Sequence, residues 1–241
     1  MAKGKQAVKV RWWSRWPRAL RLAAAVLAVL ALLPLALILL YLLVDPPAST
    51  LMVSEKLSGK TIRHKWVPLE KISKNLVRAV VTSEDARFCD HWGVDWRAVS
   101  DAIEEAEEDG GAIRGASTIP MQTAKNLFLW SDRSYVRKAV EIPLTYVMSA
   151  VWPKRRMIEI YLNIAEWGPG VFGAQAAARY HFRKDAADLT PGEAALLAAS
   201  LPNPHVRRAG RPGPRTRGLA SRLQVRAARE GVPLGCIYPG E

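Results

Sequence analysis

Cysteine is scarce in these 241 residues, which hold only Cys89 and Cys236, together with four histidines. No zinc-ligand spacing can be built from so few donors. Acid is missing from two stretches. Seven bases (Lys3, Lys5, Lys9, Arg11, Arg15, Arg18 and Arg21) precede any acid, and Arg207 to Arg229 carries eight arginines and no acid. The formal charge of +13 therefore overstates the middle of the chain: removing the seven leading bases alone leaves +6. No basic recognition helix and no aromatic-studded sheet motif accompanies the charge, so no nucleic-acid partner is expected. Repeats and long alternating strand patterns are absent as well, which leaves a mainly α fold.

What is abundant is one apolar run. From Leu22 to Val44 every residue is apolar apart from the Tyr41 hydroxyl, and 23 residues in a helix span roughly 34 Å, enough to cross a bilayer. Pro34 near its middle kinks a membrane helix more often than it forbids one. A cleaved signal peptide would show an apolar core of about 7 to 15 residues and a small-x-small site, and the segment around Leu43-Val44-Asp45 has none. The run reads as a retained anchor. Residues 1–21 form its basic cytoplasmic side, and the rest is exported. Trp12, Trp13, Trp16 and Tyr41 fall near the two interfaces. In an exported domain Cys89 and Cys236 either pair or remain two separate thiols, and sequence does not decide between them.

Residues 45–68 mix prolines with polar and short apolar stretches and read as a linker with at most a strand or two. The domain at 69–241 is helical. Leu69, Ile72, Leu76, Val77 and Val80 share one face, and Trp96, Val99 and Ile103 mark a second helix running into the solvated acids Glu104 to Asp109 and stopping at Gly110-Gly111. A third helix starts near Ser117, a long one covers Ser134 to Val151 with Pro143 as a bend or break, and others cover Arg155 to Glu166 and Gly173 to Tyr180. Thr190-Pro191-Gly192-Glu193 is a capping box, and Arg217 to Glu230 makes the last helix.

Chemistry concentrates in Ser83-Glu84-Asp85-Ala86-Arg87-Phe88-Cys89-Asp90-His91-Trp92-Gly93, where a helix ends in a polar loop. His91 alone reads as a structural hydrogen-bonder. Small residues, hydroxyls and an amide gather at Gly115-Ala116-Ser117-Thr118-Ile119-Pro120-Met121-Gln122, followed by Lys125, in a geometry suited to an anion. Arg133, Arg137 and Lys138 precede Glu141 at spacings that put cations and an acid on one helix face.

Four patterns occur in order: Glu-Asp-x-x-Phe-x-x-His-x-Gly from Glu84, Gly-x-Ser-Thr-Ile-x-x-Gln from Gly115, Arg-Lys-x-x-Glu from Arg137, and Lys-x-x-x-Ile-x-x-Tyr-Leu-Asn from Lys154 to Asn163. The set resembles glycosyltransferase family 51, and within it the monofunctional peptidoglycan transglycosylases, over about Val67 to Pro204. The resemblance implies a lysozyme-like helical lobe with a smaller apolar lobe dipping into the bilayer, with Trp96, Phe128, Leu129 and Trp130 as candidates for that surface. It also implies polymerisation of lipid II into β-1,4-linked glycan with release of undecaprenyl pyrophosphate. Glu84 takes the role of general base, with Asp85 as the nearby alternative, and Glu141 that of second carboxylate. Lys125, Arg133, Arg137 and Lys138 serve the pyrophosphate, while Asp85, Phe88, Ser117, Thr118, Gln122 and Asn163 complete the substrate site. No cofactor is required, though a divalent cation, Mg or Mn, is compatible with a pyrophosphate.

The implied partners are lipid II, the growing strand, inner-membrane lipids and other wall-building proteins, with the catalytic domain on the periplasmic side. Met121 departs from the family, which commonly has glutamine there. No Ser-x-x-Lys tetrapeptide occurs, so transpeptidation and acylation by penicillin are not expected. The competing readings are a glycan-cleaving enzyme of the lytic transglycosylase kind, which would not need the cations, and a non-catalytic wall scaffold, which would not need both glutamates. The anchor makes a topological prediction: a reporter active only after export, fused after Pro204, works in cells. If only a cytoplasmic reporter at that point is active, the orientation is reversed.

Overall fold

In the computed structural model of the chain, the described residues are 17–111, 115–132, 134–229 and 233–240. Arg133 and the interfacial tryptophans 12, 13 and 16 lie outside them. The chain divides into two units, residues 1–40 and 41–241. In the first, helix α1 (Arg18–Tyr41) begins and runs without interruption through Pro34. It is long and apolar enough to cross a membrane.

The second unit is built from nine helices, among the described residues, and a small sheet. In the stretch read as a linker, α2 (Thr50–Leu57) forms because the Ser49 side chain accepts from Met52 N at 3.2 Å and closes its first turn. The strand β1 (Arg63–His64) follows. The apolar periodicity from Leu69 onward covers two elements rather than one helix, a 3-10 turn at Leu69–Lys71 and α3 (Lys74–Glu84). Ser73 separates them by capping α3 through Asn75 N.

Asp95 caps α4 (Trp96–Asp109), which ends at Gly110 in the left-handed conformation with its acids exposed. The cap of α5 (Ile119–Phe128) is Thr118, one residue later than the sequence suggested, with Pro120 in the first turn. Helix α6 (Tyr135–Val151) passes through Pro143 unbroken. Then come α7 (Lys154–Ile164), β2 (Glu166–Gly168), β3 (Val171–Phe172), α8 (Ala174–Phe182), α9 (Pro191–Ser200) with its Thr190/Glu193 capping box, and α10 (Pro214–Arg229).

The sheet order is β1-β3-β2, with Arg63 paired to Val171 in parallel and Glu166 to Phe172 antiparallel. Its strands are too short to show an alternating pattern, which is why the sequence does not betray them. Helix α3 buries Leu76, Val77, Val80 and Val81 against α9, whose Ala194, Ala195, Leu197 and Ala198 are also buried. Small side chains on α9 let the two backbones approach. On its other side α9 packs against α10 through Ala195, Ala199 and Ala220. Of the four residues expected on an apolar surface, Trp96 and Trp130 are exposed. Leu129 is buried, and Phe128 is half-buried and stacks with Tyr41 at 6.4 Å between ring centroids, so these two belong to the packing.

The two cysteines are joined. The Cys89–Cys236 bond spans 147 residues and pins a C-terminal segment whose Ile237 is fully buried to the loop that follows Glu84. Closing so long a loop restricts the unfolded chain strongly. The prediction is that Cys236→Ser costs about 2–5 kcal/mol of stability, measured by thermal or denaturant unfolding without reductant. An unchanged midpoint would mean the tail holds itself in place without the bond.

Candidate active site

Glu84 ends α3 and Asp85 caps it, so two adjacent carboxylates leave the helix together. They are held differently. Asp85 is buried, with Oδ1 2.8 Å from His91 Nε2 and Oδ2 accepting from Ile119 N at 2.9 Å. Gly93 N donates to His91 Nδ1, so the ring proton sits on Nε2 and is donated to Asp85. The Thr118 hydroxyl donates to Gly93 O at 2.5 Å. Gly93, at φ +100°, lies so close to α6 that a Cβ would meet Ser149 Oγ at 2.7 Å and Thr145 Cγ2 at 2.9 Å. Both oxygens of Asp85 are thus engaged inside the protein. Asp85 positions the loop, and His91 is the structural hydrogen-bonder that the sequence suggests.

Phe88 also belongs to the framework. Its side chain is fully buried, so it contacts no substrate, and its ring underlies the Lys154 ammonium at 4.5 Å. Lys154 donates to Phe88 O and, at 2.6 Å, to His91 O, gathering the loop from α7. Burial lowers its pKa to about 8, against the opposing pull of Asp85 and Asp90.

Glu84 itself is half-buried and faces a cleft of about 240 Å³ lined also by Ser83, Gly115, Ser117 and Arg226. Burial raises its pKa; hydrogen bonds from Gln122 and Ser83 and the charge of Lys125 offset part of that rise. Gln122 Nε2 donates to Glu84 Oε2 at 3.0 Å, while its Oε1 accepts from the Tyr161 hydroxyl at 3.2 Å. Tyr161 is buried, and burial with the nearby Glu84 and Asp85 charges pushes its pKa far up, so it remains a donor.

Asn163, in the same motif, is not brought to the cleft. Its amide accepts from Val67 N and donates to Val67 O and Glu159 O, inside the protein. Lys154, Ile158 and Tyr161, spaced four and three apart, share a face, whereas Asn163 lies about 200° round the helix from Tyr161. That periodicity was the available signal for Tyr161. Thr118 is likewise a buried cap, its hydroxyl engaged with Gly93 O and Met121 N. Met121 is buried too, so the departure from glutamine falls in the core and not in the cleft.

A second cleft, of about 680 Å³, shares Gly115 and Ser117 with the first and is lined by Gln122, Lys125, Arg137, Lys138 and Glu141. Glu141 is buried and bonded to Arg137 and, at 2.5 Å, to Lys138 Nζ. Arg137 is itself anchored by Nε to Asp132 O at 2.7 Å. Lys138 Nζ also stands 3.5 Å from Ser117 Oγ, where the two clefts meet. One buried acid flanked by two cations leaves net positive charge in a cleft, an arrangement that favours an anion. Of the sequence-predicted residues, then, Glu84, Asp85, Ser117, Thr118, Gln122, Lys125, Arg137, Lys138 and Glu141 line two adjoining clefts, Asp85 and Thr118 as buried parts of the wall, while Phe88 and Asn163 lie behind them.

A half-buried glutamate thus stands beside a basic cleft on a helical scaffold, and the comparison of sequences supplies the class. The sequence model of the family described as Transglycosylase matches residues 51–225. The chain belongs to that family and is a glycosyltransferase. Among its relatives, the biosynthetic peptidoglycan transglycosylase of Rhodospirillum centenum is 55% identical over 92% of this chain and 98% of its own. Those of Agrobacterium fabrum, 50% identical over 83% and 92%, and Rhizobium meliloti, 49% identical over 96% and 97%, bear the same name.

The raised pKa of Glu84 carries a stability consequence with a definite sign. Between the ordinary carboxylate value and the raised one, the folded protein holds a proton the unfolded chain has lost, so stability falls as pH rises through that window. Glu84→Gln, which still offers an oxygen to Gln122, is therefore expected to melt at a higher temperature than wild type at pH 7. The difference should vanish below about pH 4, where both states of the wild type are protonated. A variant that melts lower at pH 7 would show that the charged form is favoured in the fold.

Proposed function

We propose that the chain is a peptidoglycan glycosyltransferase that polymerises lipid II into a β-1,4-linked glycan with release of undecaprenyl pyrophosphate. The observation that carries this reading is the pairing of a burial-raised carboxylate, Glu84, with an adjoining cleft edged by Lys125, Arg137 and Lys138. The acceptor's 4-hydroxyl oxygen attacks the donor's anomeric carbon and its proton passes to Glu84. The bond from that carbon to the pyrophosphate oxygen breaks, and its electron pair leaves with the pyrophosphate, where Lys138, Arg137 and Lys125 stabilise the charge. Attack opposite the leaving group turns an α linkage into a β one. Glu141 acts by keeping Arg137 and Lys138 in place.

No step is routed through a divalent cation. Glu141 is already occupied by two cationic partners, and among the described residues no group of three His, Cys, Asp or Glu side chains is placed to hold a metal. A lytic enzyme using one glutamate as acid would have no use for the basic cleft. Helix α1 serves as the membrane anchor in this reading, with the N-terminus in the cytoplasm and the clefts on the outer side, where the lipid-linked substrate is presented.

Incubating the purified full chain with lipid II and resolving polymer on a gel tests the proposal. Glu84→Gln is expected to cut the rate at least about a hundredfold. Glu141→Gln should impair it less, through loosened cations. In wild type, kcat/KM should fall as pH drops through a value above the ordinary carboxylate range, because the base must be ionised to accept a proton. Near-normal synthesis by Glu84→Gln would remove Glu84 from the role.

A further inference from the structure

The arginine-rich stretch that ends the chain takes no part in the chemistry above, yet it forms a built surface. A third cleft, of about 410 Å³, opens between the ends of α3, α9 and α10 and is lined by Ser83, Arg207, Leu219, Arg222, Leu223 and Arg226 among others, with no acid in its lining. Ser83 and Arg226 also line the Glu84 cleft, so the two spaces adjoin there, whereas the Lys138 cleft meets the Glu84 cleft at Gly115 and Ser117.

Several arginines elsewhere in this domain are paired: Arg87 with Asp95, Arg155 with Glu70, Arg156 with Glu159 and Arg179 with Asp185. Arg207 and Arg222 have no carboxylate within ion-pair distance among the described residues. Arg207 is fixed by donating from one guanidinium nitrogen to Ala199 O at 3.1 Å, and Arg226 donates to Thr82 O. A solvated helix face ordinarily intersperses acids with its bases, and α10 has five arginines and none. Guanidinium groups such as those of Arg207 and Arg226, anchored at the cleft, suit oxyanions, which they bind through two parallel N–H bonds, and Arg222 adds an exposed guanidinium to the same lining.

We infer that this cleft is an anion subsite for the part of the acceptor extending past Ser83 from the sugar at Glu84, recognising a carboxylate or phosphate oxyanion. The inference rests on the reading of Glu84 as the base that faces the acceptor. Two chemical sources exist on such a substrate, the carboxylates of its peptide and its pyrophosphate.

The test measures binding to detergent-solubilised full chain, wild type, Arg222→Ala and Arg222→Glu, by calorimetry. Arg222 is exposed, and an unchanged melting temperature verifies that each variant is folded. The probes are a soluble disaccharide-peptide, the same molecule with its carboxylates amidated, and inorganic pyrophosphate. Loss of one charged hydrogen-bonding partner should weaken the carboxylate-bearing probe about tenfold in Arg222→Ala and further in Arg222→Glu, with the amidated probe indifferent. If pyrophosphate alone distinguishes the proteins, the subsite stands with phosphate as its ligand. Equal binding of every probe by all three proteins overturns it. A wild type that makes no polymer yet shows the Arg222 dependence would sink the proposed reaction and keep the subsite; polymer synthesis with no Arg222 dependence does the reverse.

Discussion

The junction between the loop after Glu84 and helix α5 depends on where the Asp85 carboxylate sits. One of its oxygens holds His91 and the other holds the first N–H of α5, so a single buried anion ties the loop after α3 to the helix that carries Gln122 and Lys125. A buried carboxylate is stable only when its oxygens are satisfied, and here the partners are the parts that must be brought into register. Lys154 secures the same loop from α7 through two carbonyls, and Thr118 closes the ring at Gly93. Both acids line the same cleft, but Glu84 is the less buried of the pair, and Asp85 carries the contacts that hold the loop.

This division of labour explains what could be read in advance. Capping residues and apolar periodicity revealed most of the helices, since those signals are local: Thr190 with Glu193, and Ser134 ahead of α6, act within a turn. Elements shaped by distant partners were less legible. The helix after Ser49 is too short for a periodic pattern, and the sheet depends on pairing Arg63 with Val171, more than a hundred residues on.

Within the site the same distinction holds. Glu141 with Arg137 and Lys138 is written in one helix at spacings of four and three, and the structure keeps it. Motif membership, however, did not separate residues that touch the cleft from those that hold its walls. Phe88 and Asn163 stand in the same strings as Glu84 and Tyr161, and Phe88, Asn163 and Tyr161 are all buried; only hydrogen-bond partners connect Tyr161, through Gln122, to Glu84. Spacing along α7 carried that information for Tyr161, because a helix face is a local property; nothing in the sequence marks Asp85 as the inward-turned member of the pair.

The chain of contacts from Tyr161 through Gln122 to Glu84 has a direction. A phenol donates to the amide oxygen, and the amide nitrogen donates onward, so each hydrogen points toward the carboxylate and none points back. An amide has one accepting end and one donating end, and reversing it would set its NH2 group against the phenol and its oxygen against an anion. Glu84 Oε2 therefore accepts the shorter hydrogen bond, while Oε1 accepts from the Ser83 hydroxyl at 3.3 Å. The carboxylate is thus held unevenly: its Oε2 side is turned toward Gln122, and its Oε1 side carries the longer contact to Ser83.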